Sequence, residues 1–395
     1  MPLGATPIDT PKHTPPHRPG PGDPIEARKA EHLRLTAEAD VERHAGAGWP
    51  DIRLVHEAVP EIDLDAIDLS IELLGRRLRA PLVIAGMTGG HAAAVEVNAC
   101  LARAAERHGL AMGTGSQRAA LGRPDLLATY RVAREQAPTA FLIGNIGAAQ
   151  LVPQGKTPPL AAAEVEALAA AIRADAVAVH LNFLQETVQP EGDRHATGVL
   201  DAMRRLAQAL PLPVIAKETG AGLSRSSAQR LAATGVAALD VGGAGGTSFA
   251  AVESLRAAQQ GDRRGQRLGE VFRDWGVPTP VAVMAAAEAG LPVIATGGVR
   301  SGLDAAKALA LGATAAGVAR PLLQAALAGG DAAVDAWIEQ FLAELRAALF
   351  LTGSRTCADL RQRPCVLLGE TRQWLEQLGY LGEITAPASR PPAGG

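Results

Sequence analysis

Eight short apolar runs recur from residue 80 onward, and each is followed by a stretch of Ala, Leu and Arg with helical spacing. The runs are PLVIAGM (81–87), LAMGTGS (110–116), AFLIGNIG (140–147), AVAVHLN (176–182), LPVIAKE (212–218), AALDVGG (237–243), LPVIATGG (291–298) and AAGVAR (315–320). The helical stretches read as 93–108, 126–136, 161–174, 199–210, 226–234, 281–289, 302–311 and 334–350. Strand–helix units of this parallel type form either a closed barrel or an open doubly wound sheet. Eight of them in one chain favour closure, so the expected fold is α/β, a (β/α)8 TIM barrel.

Composition agrees with a packed core and narrows the partners. Hydrophobic residues make up 47% of the 395, but aromatics only 3%, so the core must be built from Ala, Val, Leu and Ile. The formal net charge of −3 gives no reason to expect nucleic acid or an anionic membrane as partner. Any anion site must be a local cluster of Arg and Lys. Cys100, Cys357 and Cys365 are too few and too scattered for a disulfide framework or a zinc site. The Pro-rich residues 1–24 lack an apolar segment and read as a disordered tail, not a secretory signal. No apolar run approaches the roughly 18 residues of a membrane span. These features predict a cytoplasmic protein with one barrel domain over 25–382 and a disordered tail over 383–395. Residues 51–70, with 73–78, read as short strands capping one end of the barrel. The charged insertion 248–278 reads as a flexible lid or a subunit contact.

In such a barrel the chemistry sits at the C-terminal strand ends. The fourth end is the richest, VHLNFLQETVQPEGDR, with His180, Asn182, Gln185, Glu186, Gln189, Glu191, Asp193 and Arg194. Glu186 offers the hard oxygen that Mg²⁺ prefers, and the amides and imidazole can donate and accept hydrogen bonds. The seventh and eighth ends, Thr296-Gly297-Gly298-Val299-Arg300-Ser301 and Gly317-Val318-Ala319-Arg320-Pro321, each run into a helix start. That pair matches the phosphate site of many barrels. Lys217 ends the fifth run, where it can stabilise negative charge on a flat ligand. Before the barrel, Arg28, Lys29 and His32 lie on a short helix and could clamp an anion.

These motifs resemble the type 2 isopentenyl diphosphate isomerases. The resemblance runs from Arg28 to about Leu323 and rests on RKAEHL, AGMTGG, GTGSQR, GNIGA, HLNFLQETVQPEGDR, KETGAGLS, GGAGGTS, TGGVRSGLDAAKALALGA and GVARPLL. TGGVRSG and GVARP are generic to FMN barrels, whereas H-x-N-x-x-Q-E followed by QPEGDR, with the early R-K-x-E-H, is specific to this family. The resemblance implies FMN held by Met87, Thr88, Gly89, Ser116, Asn145, Lys217, Thr247, Gly297, Gly298, Val299, Arg300, Ala319 and Arg320. It implies a substrate pocket made by Arg28, Lys29, His32, Ser116, Gln117, Arg118, His180, Asn182 and Gln185. Gln185, Lys217 and Glu186 would be catalytic, and Glu186 would hold Mg²⁺ against the diphosphate. The implied reaction interconverts isopentenyl and dimethylallyl diphosphate, with reduced FMN as acid–base cofactor and NADPH as its initial reductant. The family further implies a homo-oligomer, a tetramer or octamer. Two other readings remain open on the residues alone, an FMN- or NAD-dependent barrel oxidoreductase and a non-catalytic flavin- or phosphate-binding protein. The binding protein would not need the Gln185–Glu186 and Arg28–Lys29 sets; a 2-hydroxy-acid oxidase would want a strand-end His and Arg pair, and no loop cysteine lies between Cys100 and Cys357 for an inosine-monophosphate-dehydrogenase type of site.

Overall fold

The computed structural model describes residues 24–121 and 123–381. Of the tails expected over 1–24 and 383–395, residues 1–23 and 383–395 lie outside the described residues, and Pro24 begins the first helix. Each of the eight apolar runs contributes one strand: β1 (Leu82–Ile84), β2 (Ala111–Gly113), β3 (Phe141–Gly147), β4 (Ala176–Leu181), β5 (Val214–Glu218), β6 (Ala238–Asp240), β7 (Val293–Thr296) and β8 (Ala315–Val318). All neighbours pair in parallel and in sequence order, and β8 closes on β1 to give the expected barrel. The strands are shorter than the runs because each run bends into its C-terminal turn.

Helices cover the outside. Among the described residues they are, in chain order, α1 (Pro24–Glu38), α2 (Ala94–His108), α3 (Pro124–Gln136), α4 (Ala162–Ala171), α5 (Phe183–Val188), α6 (Val199–Ala209), α7 (Arg225–Ala232), α8 (Phe249–Gln259), α9 (Arg263–Val271), α10 (Thr279–Ala287), α11 (Gly302–Ala310), α12 (Arg320–Leu351), α13 (Cys357–Leu360) and α14 (Gly369–Gln377). Helix α12 is two helices joined at Gly329 and Gly330, whose backbone is not helical. The core is aliphatic, as the scarcity of aromatics requires, and Tyr130 is its largest fully buried side chain.

The segment before β1 departs in part from expectation. The hairpin Ile71–Leu73/Arg76–Leu78 does cap the N-terminal end, where Arg76 donates to Thr139 O (2.8 Å) just before β3. Ile52–Leu54 instead pairs antiparallel with Cys365–Leu367 on the flank of the barrel. The insertion 248–278 is not an open lid. It folds as α8 and α9, and Glu253 and Arg256 of α8 are buried. Leu35 of α1, Val41, Ala251 and Val252 form a small second core that seats α1 on α8.

Arg134, 6% exposed, fixes the bottom of β3 and β4. Its guanidinium donates to Ala137 O (3.0 Å), Pro138 O (3.1 Å), Ala140 O (2.9 Å), Arg173 O (2.8 Å) and Asp175 Oδ2 (2.7 Å). Removing one member of a buried ion pair leaves the other charge and its acceptors uncompensated. Arg134→Met should therefore destabilise the barrel by about 3 kcal/mol in urea titration. A loss below about 1 kcal/mol would mean that water replaces the guanidinium at no cost.

Candidate active site

The eight turns at the C-terminal strand ends surround one deep cavity, with about 270 Å³ of room for the centres of water molecules. Helices α1 and α5 overlie it, and α8 backs them. The cavity floor is glycine-rich, with Gly86, Gly115, Gly243, Gly297, Gly298 and Gly317 among its lining residues. Gly298 has φ +64°, and a Cβ there would lie 2.4 Å from Gly245 O, so the turn after β7 can carry no side chain. Of the residues expected to hold flavin, substrate or metal, all except Gln117 line this cavity, whereas Glu191, Asp193 and Arg194 do not. Gln117 turns into the wall, donating to Leu168 O (2.8 Å) and accepting from Asn145 N (3.1 Å). The expectation of Gln117 as a substrate ligand is therefore corrected: it braces β3.

At the fourth strand end, Asn182 Nδ2 donates to Glu186 Oε1 (2.9 Å) and Asp193 N donates to Glu186 Oε2 (2.7 Å). Glu186 thus staples the loop that follows α5. The same loop supplies Asp193 to Arg118 at 2.5 Å and is tied by Arg194 to Glu186 O (3.1 Å) and Gln189 O (2.6 Å). Burial, opposed by these donors, pushes the Glu186 carboxyl above its ordinary range. Asn182 Oδ1 is buried with no hydrogen-bond partner among the described residues. Two hard oxygens in one corner suit Mg²⁺, which accepts one or two protein ligands and completes its shell with phosphate and water. Among the described residues no cluster of three or more His, Cys, Asp or Glu could hold a metal unaided, so a cation here would need oxygens from a ligand.

On the barrel floor, Lys217 and Asp240 form a buried pair at 2.7 Å. His180 is linked to Asn145 Oδ1 at 2.7 Å. Since that oxygen only accepts, Nδ1 carries the proton. Burial, with the charges of Lys217 and Lys29, pushes the imidazole down to about 4, so it is neutral near pH 7.

The phosphate-type turns are more engaged with protein than expected. Arg320 donates to Thr36 O (2.7 Å), Ala39 O (2.8 Å) and Glu42 Oε1 (2.8 Å), and Arg300 donates to the same Glu42 oxygen (2.7 Å). Arg300 N is satisfied by Asp304 Oδ2 (3.1 Å). These arginines hold the segment after α1 over the turns, and any phosphate contact from their guanidinium groups would have to be shared with Glu42. The local pair nevertheless keeps this side of the cavity positive, one carboxylate facing two cations.

Lys29 is similarly committed. Its Nζ donates to Gly89 O (3.0 Å), Ser116 O (2.6 Å) and Tyr130 Oη (2.8 Å). Burial and the neighbouring Arg28 charge lower its pKa to about 7, against the pull of three acceptors. Arg28 is looser, with Glu191 at 3.6 Å, and with the Gln189 amide turned to satisfy its neighbours Arg28 Nη1 reaches Gln189 Oε1 at 2.9 Å.

Glu253 of α8 is the group that the sequence reading missed. Its Oε1 meets His32 Nε2 at 2.8 Å and accepts from Gln185 Nε2 at 3.1 Å, while Oε2 accepts from Arg256 at 2.6 Å. Burial works to raise this carboxyl, but His32, Arg256 and Gln185 prevail and hold it below the ordinary range. Arg256 is itself held by Glu31 (2.9 Å) and Glu191 (3.2 Å). A usable signal existed in FAAVESLRAA, an acid and an arginine three apart inside an Ala-rich helix.

The model of the FMN-dependent dehydrogenase family matches residues 33–121 and 148–366. Solved structures of similar fold include a putative lactate oxidase of Pediococcus acidilactici (TM-score 0.58, 17% identity, 86% of this chain and 87% of that one) and a mandelate oxidase (TM-score 0.57, 19% identity, 85% and 99%). At such identity they speak for the barrel alone. Isopentenyl-diphosphate delta-isomerases are far more similar in sequence. The protein of Methanosarcina barkeri is 51% identical over 89% of this chain and 95% of its own, and that of Halobacterium salinarum is 48% identical over 89% and 96%. That of Methanothermobacter thermautotrophicus is 46% identical over 90% and 97%. On the barrel described by the FMN-dependent dehydrogenase model, the chain belongs to the isopentenyl-diphosphate delta-isomerase family.

Proposed function

We propose that this protein interconverts isopentenyl and dimethylallyl diphosphate, shifting a double bond by one position without net oxidation, on an FMN held at the floor of the barrel. The observation that carries the reading is the pairing of a glycine-lined, locally cationic floor with a roof of anion-binding and hydrogen-bonding groups, Arg28, Gln185 and Glu253. A bare flavin- or phosphate-binding protein would not need that roof.

The residues fit a flavin. Glycine turns after β1, β2, β6 and β7 let a flat ring approach the backbone. Thr296 Oγ1 lies in the lining, buried and without a partner, ready for a ligand polar atom. Met87, Thr88, Gly89, Ser116, Asn145 and Lys217 would flank the ring, and Thr247, Gly297, Gly298, Val299, Arg300, Ala319 and Arg320 would surround the phosphate end. Reduced FMN, generated at the outset by a reductant such as NADPH, would supply the proton exchange with the alkene that no side chain here is acidic enough to perform.

The remaining work belongs to the chain. Lys217, paired to Asp240, would offset negative charge developing on the flavin edge. Glu253 holds Gln185 by its amide N–H, and the amide oxygen, directed away from the carboxylate, accepts from Asn182 Nδ2 (3.2 Å) and keeps one lone pair. That oxygen would face the reacting carbons and stabilise positive charge there. Glu186 would hold Mg²⁺ against the diphosphate, with Asn182 Oδ1 the nearest further oxygen, and Arg28, Arg118 and His180 would complete the anion pocket. The roof of α1, α5 and α8 would exclude water from a cationic substrate.

The purified holoprotein should be yellow and inactive until reduced under anaerobic conditions. Equal turnover by flavin-free protein would overturn the assignment. Glu186→Gln should abolish the Mg²⁺ dependence of turnover, and an unchanged magnesium titration would move the metal elsewhere. Glu253→Gln keeps the shape but leaves Arg256 facing a neutral amide, and should lower kcat by about 10²-fold with a smaller effect on KM. An unaltered kcat would reduce Glu253 to a structural ion pair. His180 should remain neutral from pH 6 to 8 in the ligand-free protein, because burial and two lysines depress it, and a bound diphosphate should raise its pKa. Imidazole NMR shifts showing a titration above pH 6 without ligand would contradict this.

A further inference from the structure

The turn after β1 carries a buried histidine that the proposed reaction does not use. His91 is 2% exposed and sits behind Thr88, outside the lining of the cavity, whereas Thr88 belongs to that lining. His91 Nε2 and Thr88 Oγ1 are 2.9 Å apart. The backbone of Thr88 is held from two sides. Its carbonyl accepts from Gly115 N (2.9 Å) in the β2 turn and from Asn98 Nδ2 (3.3 Å) on α2. A Cβ at Gly115 would lie 2.6 Å from that carbonyl, so the β2 turn packs directly against it. What remains to be set is the rotation of the side chain and of its hydroxyl hydrogen, and the bond to His91 bears on both.

The other ring nitrogen decides which atom donates in that bond. His91 Nδ1 is buried and meets no hydrogen-bond partner among the described residues. A proton on Nδ1 would leave a buried N–H unpaired, and such orphans are rarer than an unpaired acceptor. A doubly protonated ring would add a buried charge. Burial and the Lys29 charge oppose that form, pushing the imidazole down to about 4. The proton therefore sits on Nε2, and Nε2–H donates to Thr88 Oγ1. The hydroxyl hydrogen of Thr88 then cannot point back at the ring. That hydroxyl makes no other hydrogen bond among the described residues, so its O–H is left for an acceptor in the cavity. A donor placed on a hydroxyl oxygen also polarises that hydroxyl and strengthens the bond it gives.

We infer that His91 is a positioning residue that makes Thr88 a hydrogen-bond donor toward the flavin ring. The inference rests on the reading under Proposed function for the flavin itself, and not for the tautomer of His91. An isoalloxazine presents acceptor nitrogens and carbonyl oxygens along much of its polar edge. Facing those atoms, a threonine of the opposite polarity would set lone pair against lone pair. His91 touches neither flavin nor substrate in this account and acts through the Thr88 hydroxyl alone.

Magic-angle-spinning nitrogen-15 NMR of the FMN-loaded full chain, labelled at histidine, reads the tautomer, and either His91→Gln or His91→Met identifies the signal by its loss. The expected spectrum has the proton on Nε2 and a bare Nδ1. A proton on Nδ1 would overturn the inference. The Kd of the full chain for FMN, from quenching of flavin fluorescence, gives a second readout. Thr88→Val should weaken FMN about tenfold and His91→Met about fivefold. The double variant should match Thr88→Val within about twofold, because no hydroxyl is left for His91 to orient. His91→Gln, whose amide N–H can replace Nε2–H, should stay within about twofold of wild type. Losses that multiply in the double variant, to about fiftyfold, would make His91 a brace of the turn independent of the hydroxyl and overturn the inference. Equal losses for His91→Met and His91→Gln would overturn it as well. If the full chain binds no FMN, the reading under Proposed function falls, and the tautomer in the flavin-free chain still decides whether His91 donates to Thr88.

Discussion

The arrangement of this site depends on one buried carboxylate. Glu253 is 1% exposed, and a charge so placed is tolerated only when its lone pairs are met by donors. The donors come from three separate elements: His32 on α1, Gln185 on α5 and Arg256 on α8 itself. Satisfying the charge therefore draws α1, α5 and α8 together over the strand ends. Arg256 extends the network to Glu31 and Glu191, so both sides of the roof are held by the same pair of charges. The roof is an electrostatic assembly with a four-residue aliphatic core beneath it, in contrast to the aliphatic barrel below.

The barrel fold is what the chain has in common with solved structures of oxidases. The family model begins at residue 33, just past Arg28, Lys29 and His32, and its second matched stretch takes in Gln185, Glu186 and Glu253. Relatives named isopentenyl-diphosphate delta-isomerase match about nine-tenths of the chain. The cavity is thus walled by the glycine-rich turns of the barrel and covered by the N-terminal helix, by the polar residues after β4 and by the insertion after β6. The contacts of Lys29 with Tyr130, Gly89 and Ser116 and the Glu42–Arg300–Arg320 cluster fasten the N-terminal segment at neighbouring parts of the rim, since β8 pairs with β1.

Much of this was legible in the residues. The eight apolar runs predicted eight strands because a closed parallel barrel buries both strand faces, and the polar burst from His180 to Arg194 marked the fourth rim. What escaped was contact between parts distant in the chain. Glu253 lies 221 residues from His32, and a charged insertion reads as exposed because burial of an acid depends on partners that local sequence does not reveal. Gln117 sits between two cavity residues, yet the turn sends its amide toward Leu168. Arg300, Arg320 and Lys29 read by charge type as anion ligands, and local sequence gives no sign that each is also held by protein oxygens from distant parts of the chain.

The central claim is a double-bond shift without net electron transfer on this barrel. Proton NMR of isopentenyl diphosphate in D₂O, with reduced holoprotein and Mg²⁺ under anaerobic conditions, tests it most directly. The account predicts growth of dimethylallyl methyl signals with solvent deuterium incorporated, while the flavin stays reduced through many turnovers. Flavin oxidation in proportion to substrate consumed, or no dimethylallyl product at all, would contradict it.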